Sequence, residues 1–166
     1  MTFGAADQAI TASSSSGLTV TLASTTQSVC TIVSNSIRIV TAGTCTVTAN
    51  QAGNSVYAAA TQVSNNVTIS KAASSITASG STTFTYSGLP QGPATSTPVG
   101  SAGAVTYSYV GVAPTSYTAS ATKPTNAGSY SVTATVATDT NYLSASSAPY
   151  SFTISKSPLE ITASSP

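Results

Sequence analysis

The chain lacks histidine and tryptophan altogether, and its 166 residues include only four basic and three acidic side chains. Each shortage removes a class of function. Without an imidazole, and with Asp7, Asp139 and Glu160 scattered along the sequence, no nucleophile has a neighbouring base and no two carboxylates form a pair, so no enzyme is expected. Arg38, Lys71, Lys123 and Lys156 are equally dispersed and the formal net charge is +1. Nucleic acid demands a concentrated basic footprint, so none is expected as a partner. Three acids are too few for a series of calcium sites, and two cysteines without histidine fall short of the four ligands of structural zinc, so neither a metal nor any other cofactor is expected. No run of about 18 apolar residues occurs, and no membrane-spanning helix is expected.

What the chain does have is serine and threonine, which fill roughly a third of it, and a 40% share of hydrophobic residues. Low charge with high polarity is often the mark of disorder. Here, however, Val, Ile, Leu, Tyr and Phe alternate with Thr, the period of a half-buried strand. Leu18, Val20 and Leu22 share one face with Thr19 and Thr21 on the other, and the whole reads as folded and all-β.

The strongest signal is a repeat. Ala42-Gly43-Thr44-Cys45-Thr46-Val47-Thr48-Ala49 returns 85 residues later as Ala127-Gly128-Ser129-Tyr130-Ser131-Val132-Thr133-Ala134. The spacing persists from Tyr57 to Tyr142, from Thr68-Ile69-Ser70-Lys71 to Thr153-Ile154-Ser155-Lys156, and from Ile76-Thr77-Ala78-Ser79 to Ile161-Thr162-Ala163-Ser164. A period of this size denotes domains in tandem. The expected division is a first domain over residues 1–71, a second over 72–156, and in 157–166 the start of a following repeat or a tail, so that the chain reads as a segment of a longer one. Domains this small bury only about 60% of their unfolded surface, and each core is marginal.

In the first domain the pattern predicts an edge strand at Met1–Phe3, then strands at Leu18–Leu22, Val29–Val33, Ile37–Val40, Thr44–Ala49 and Val63–Ile69, with Ser34-Asn35-Ser36 closing a hairpin. About seven short strands of this kind make an immunoglobulin-like β-sandwich. In the second, strands are expected around Ile76–Ala78, Phe84, Val105–Tyr109, Ser116–Ala119, Ser129–Val136 and Phe152–Ile154. Between them an added stretch with Pro90, Pro93 and Pro98 reads as loop. Leu159–Ala163 reads as a first strand without a domain of its own.

The stretch from Val29-Cys30-Thr31-Ile32 through Ala42-Gly43-Thr44-Cys45 to Gln51-Ala52-Gly53-Asn54 and Tyr57 resembles the cysteine-containing bacterial immunoglobulin-like repeats of giant secreted surface proteins. Thr85-Tyr86-Ser87-Gly88, with Pro124-Thr125-Asn126-Ala127-Gly128-Ser129-Tyr130 and Asn141-Tyr142, resembles the MBG-type repeat of bacterial adhesins, except that Ser87 stands where an acidic residue is usual. The two resemblances together cover nearly the whole chain. They imply tandem β-sandwiches, an extracellular location at the bacterial cell surface or secreted, no catalysis, and a role as stalk or spacer for a distal binding module. The linker Ser70-Lys71-Ala72-Ala73 is too short to act as a floppy tether, so an extended rod is expected.

Cys30 and Cys45 lie 15 apart, and Thr115 and Tyr130 occupy the matching places in the second repeat. In a secreted chain such a pair is expected to form a disulfide, two buried free thiols being the alternative. The tyrosines at 107, 109, 117, 130, 142 and 150 are expected mainly in the core, as are Tyr57 and its counterpart Tyr142. Should the repeats themselves bind a cell-surface glycan or protein, the loop 91–103 with Gln91, Tyr107 and Tyr109 is the expected place. The remaining expected partners are neighbouring repeats of the same polypeptide and, by strand addition through 159–163, other copies of the chain.

Overall fold

The computed structural model describes residues 1–162, and among them every helical or extended element is a β-strand. The chain divides into two compact units, Met1–Ala73 with Asp139–Leu143, and Ser74–Thr138 with the chain from Ser144 onward. The short segment Asp139–Leu143 groups with the first unit through specific bonds. The Ala72 N–H donates to the Asn141 carbonyl at 2.8 Å and the Leu143 N–H to the Ala72 carbonyl at 2.9 Å. The Ala42 N–H donates to Asn141 Oδ1 at 2.9 Å, and the Tyr142 ring meets Phe3 edge-on at 5.4 Å.

The first unit contains β1 (Gln8–Ala9), β2 (Thr21–Ser24), β3 (Cys30–Val33), β4 (Ser36–Ile39), β5 (Gly43–Asn50) and β6 (Val63–Ile69). One antiparallel sheet runs β2-β5-β6 and the other β1-β4-β3. Cys45, Val47 and Ile69 from the first sheet and Cys30 and Ile37 from the second make one buried cluster. The β3–β4 hairpin closes where expected, with Val33 opposite Ser36. Ser34 and Asn35 both take positive φ, 48° and 55°, the two-residue turn whose twist suits a tight hairpin.

Some boundaries differ from the pattern. β2 starts at Thr21 rather than Leu18, because its ladder partner β5 ends at Asn50, opposite Thr21. Leu18, Val20 and Leu22 are nevertheless half-buried and Thr19 and Thr21 exposed. In place of a strand at Met1–Phe3 there is one parallel bridge, Thr2 on Ser70. Tyr57, expected in the core, is 50% exposed. It sits in a loop where Asn54 Oδ1 accepts the N–H groups of Val56 and Tyr57 at 2.8 and 2.9 Å, a local turn that projects the ring outward.

The second unit contains β7 (Ser75–Ser79), β8 (Thr83–Thr85), β9 (Thr95–Val99), β10 (Val105–Gly111), β11 (Gly128–Val136), β12 (Ala145–Ser146) and β13 (Tyr150–Ser155). Its main sheet runs β10-β11-β13-β8 with β12 beside β11, and β7 pairs with β9 in a second sheet. Most of the 85-residue period is therefore structural: β10, β11 and β13 repeat the pairing of β2, β5 and β6. The parallel bridge of Thr2 on Ser70 resembles that of Thr85 on Ser155, although only Ser70 and Ser155 keep the period.

The stretch expected as a proline-rich loop contains β9, with Pro98 opposite Ile76. Proline is accepted there because β9 is an edge strand and needs no donor on its outer side. The strand expected at Ser116–Ala119 is absent. Gly111 N–H donates to Tyr117 O, and Tyr109 exchanges bonds with Ser120, so three steps on one side face two on the other, a bulge that interrupts the ladder. Beyond β13, residues 156–162 form no strand. A strand needs a ladder partner, and within the described chain Leu159–Thr162 has none; Ala163, the last residue of that expected strand, lies outside the described residues.

Cys30 and Cys45 are disulfide-bonded across the two sheets, with Cα atoms 5.6 Å apart, and both are wholly buried. Where Cys45 stands in β5, Tyr130 stands in β11. It stacks on Phe152 at 5.5 Å and meets Tyr117 edge-on at 5.8 Å. Thr115, at the place of Cys30, instead accepts the Ser129 N–H on its hydroxyl at 2.9 Å. One unit is clamped by a covalent bond, the other by rings. Closing a loop of this length stabilises by about 3 kcal/mol. The double variant Cys30→Ala/Cys45→Ala is therefore expected to lower the first unit's melting temperature by more than about 10 °C. Calorimetry should show the second unit's transition unmoved; a uniform shift of both would contradict this assignment.

Candidate functional site

The three side chains singled out by sequence all belong to the second unit, and two of them meet the 91–103 stretch from behind. Tyr109, on β10, is 1% exposed and donates its hydroxyl to the Pro93 carbonyl at 2.7 Å. Tyr107, two residues earlier on the same face, is half-buried and shares a 3.0 Å hydrogen bond with the Ser96 hydroxyl. Gln91 donates its N–H to the Pro124 carbonyl at 2.8 Å, and its Oε1 is buried with no hydrogen-bond partner in the described structure. Gly92 follows with φ of +148°, and an added Cβ there would lie 3.0 Å from the Phe152 ring and 3.2 Å from Tyr109. The backbone can approach the rings this closely only as glycine. Tyr107 and Tyr109 thus anchor the stretch to the sheet, and the Tyr109 ring offers no surface for stacking.

The ring cluster continues inward. Phe152 contacts Phe84 at 5.9 Å and Tyr109 at 6.2 Å, both edge-on, the arrangement that the ring quadrupoles favour. Burial, and secondarily the neighbouring Tyr107, raises the Tyr109 pKa above its ordinary 10.0. Burial and then Tyr117 do the same for Tyr130. In both cases the apolar surroundings penalise the phenolate.

A groove that the sequence reading missed lies at the Tyr117 end of this cluster. It encloses about 570 Å³ between the 114–117 stretch and the 122–127 turn, with Tyr117, Lys123, Asn126 and Tyr130 among its walls. Tyr117 donates to the Thr122 carbonyl at 2.8 Å and Tyr130 to the Asn126 carbonyl at 2.8 Å, which fixes both rings. The two lining segments are tied to each other by the Tyr117–Thr122 bond, a juxtaposition no spacing announces. Among the described residues no three His, Cys, Asp or Glu side chains cluster as metal ligands would. No protein-family model matches the chain, and no curated protein matches it either.

The phenols make a testable statement about alkaline stability. Unfolding restores the ordinary pKa, so above pH 10.0 the unfolded chain releases protons before the folded one and stability falls as pH rises. The second unit's melting temperature should be level from pH 7 to 9 and decline above 10. Tyr109→Phe should cost about 1–2 kcal/mol at neutral pH, since it leaves the Pro93 carbonyl without its donor, and should flatten the alkaline decline. An unchanged slope in that variant would place the titration elsewhere.

Proposed function

We propose that the chain is a pair of immunoglobulin-like stalk repeats from a large bacterial surface adhesin, arranged as an extended rod that carries a distal binding module away from the cell. The observation behind this reading is the recurrence at 85 residues of one three-strand ladder, with the sheet-to-sheet clamp exchanged between a disulfide and an aromatic cluster. A stalk requires folded units in series, held stiffly, with surfaces that stay soluble and bind nothing. Ser and Thr on the outward positions supply such a neutral surface. A disulfide in so small a core fits an oxidising, extracellular setting, and MBG-type identity rests on the tyrosine and glycine motifs of the second repeat. Partners on this reading are neighbouring repeats of the same polypeptide.

A second reading makes the repeat itself an adhesion module. Its supporting observation is the groove beside Tyr117 and Lys123, whose carbonyls, hydroxyls and ring edges fit a neutral saccharide better than an anion or a metal. Small-angle scattering at low concentration separates rod from globule. A radius of gyration well above the about 15 Å of a compact chain of this length is expected, and a compact value would overturn the stalk. Saturable glycan-array binding that Tyr117→Ala and Lys123→Ala both abolish would favour the second reading instead.

A further inference from the structure

Among the chain's asparagines only Asn66 is followed two places later by a hydroxyl residue, in Asn66-Val67-Thr68. Asn-x-Ser/Thr is the acceptor pattern for N-linked sugar. In a chain so rich in Ser and Thr the motif alone carries little weight, and the placement of its residues carries more.

All three residues lie on β6. The strand period turns Val67 inward, half-buried against the cluster around Cys30 and Cys45, and puts Asn66 and Thr68 side by side on the outer face, both exposed. The ladder beside them is uncharged, with Thr44 opposite Thr68, Thr46 opposite Asn66 and Thr48 opposite Ser64. The Thr46 hydroxyl donates to Asn66 Oδ1 at 2.8 Å. That bond holds the amide oxygen toward β5, directs Nδ2 away from it into solvent, and polarises the amide so that an N–H proton is easier to lose. Several other asparagine amides are engaged elsewhere. Asn54 and Asn141 accept backbone N–H groups on Oδ1, and Asn50 accepts from Gln62. Asn65 turns to the opposite face of β6, with Val67 where the hydroxyl would have to be.

We propose that Asn66 is an N-glycosylation site. The donor is a sugar whose anomeric carbon carries a phosphoryl leaving group, linked either to a lipid or to a nucleotide. Nδ2 attacks that carbon and a C–N bond forms as the C–O bond to the phosphoryl group breaks. The phosphorylated carrier leaves with the electron pair, and the Nδ2 proton passes to a base of the transferase. Thr68, two places along on the same face, offers the transferase a hydroxyl that makes no hydrogen bond among the described residues. The product also guards the strand. β6 lies at the end of its sheet and contains neither Lys nor Pro, and a hydrated, uncharged bulk on its outer face hinders other chains from pairing along it.

The test is mass spectrometry of the chain isolated from the cells that produce it, reduced and cut with trypsin. The peptide 39–71, bounded by Arg38 and Lys71, should be heavier than its sequence by whole sugar residues. Electron-transfer fragmentation should place that mass on Asn66. One fixed increment identifies a preassembled, lipid-linked donor, and a ladder of single sugars identifies nucleotide-linked donors. In the same cells Thr68→Ala should lower occupancy to below about a tenth of the wild-type value, whereas Thr68→Ser and Asn65→Gln should keep it. An unmodified 39–71 peptide, sugar on a Ser or Thr hydroxyl instead of Asn66, or occupancy that survives Thr68→Ala would each overturn the proposal. None of these results depends on whether the repeats serve as a stalk.

Discussion

The contact between the two sheets of the first unit depends on one position, the third residue of its central strand. Cys45 there pairs with Val67 of β6 and is tied to Cys30 on the opposing sheet. A unit with a buried cluster of five residues has little apolar area to set against the conformational entropy of some seventy residues, so a crosslink that restricts the unfolded chain matters more here than in a larger domain. The second unit meets the same demand by other means. Tyr130 takes the position of Cys45 and gathers Phe152, Tyr117, Tyr109 and Phe84 into one contiguous set of rings. Aromatic side chains bury the most area per residue, and the carbonyls that their hydroxyls need come from Pro93 for Tyr109, Thr122 for Tyr117 and Asn126 for Tyr130. Covalent and aromatic clamps are thus two answers to one shortage of core.

What the sequence made legible follows from period and repetition. Alternation placed Val105, Tyr107 and Tyr109 on one inward face, and the 85-residue spacing aligned Ile69 with Ile154 as closing core residues, both nearly inaccessible in the fold. The Ser34–Asn35 turn was readable because few residues tolerate the left-handed region that a two-residue hairpin requires. What stayed hidden depends on distant partners. Pro98 argues against a strand until β7 is known to lie on one side only. The Asp139–Leu143 segment, with Asp139 Oδ1 accepting the N–H groups of Asn141 and Tyr142 at 2.8 Å, gives no periodic signal, yet it groups with the first unit. The groove beside Lys123 is formed by a bulge, and a bulge changes which residues meet without changing composition.

The shortage of charge shapes the surface as much as the core. Sheet edges invite pairing with other chains, and soluble β-proteins commonly blunt them with lysine or inward-pointing charge. Here the Arg38–Asp7 pair, 3.1 Å apart, lies near one edge of the first unit. The two-residue strands β1 and β12, Pro98 in β9 and the bulge after Tyr117 serve instead, since each leaves too short or too irregular a ladder for a stranger to extend. These devices are geometric, and they act locally.

They are not applied everywhere. β6 is seven residues long, lies at the end of its sheet, and carries Val63 at 59% exposure. Along this edge the exposed Asn65 and Asn66, residues of low strand propensity, stand where other β-proteins place charge. On a neutral surface a wrong strand is rejected by mismatch of period and side-chain size, since there is no charge pattern to do it.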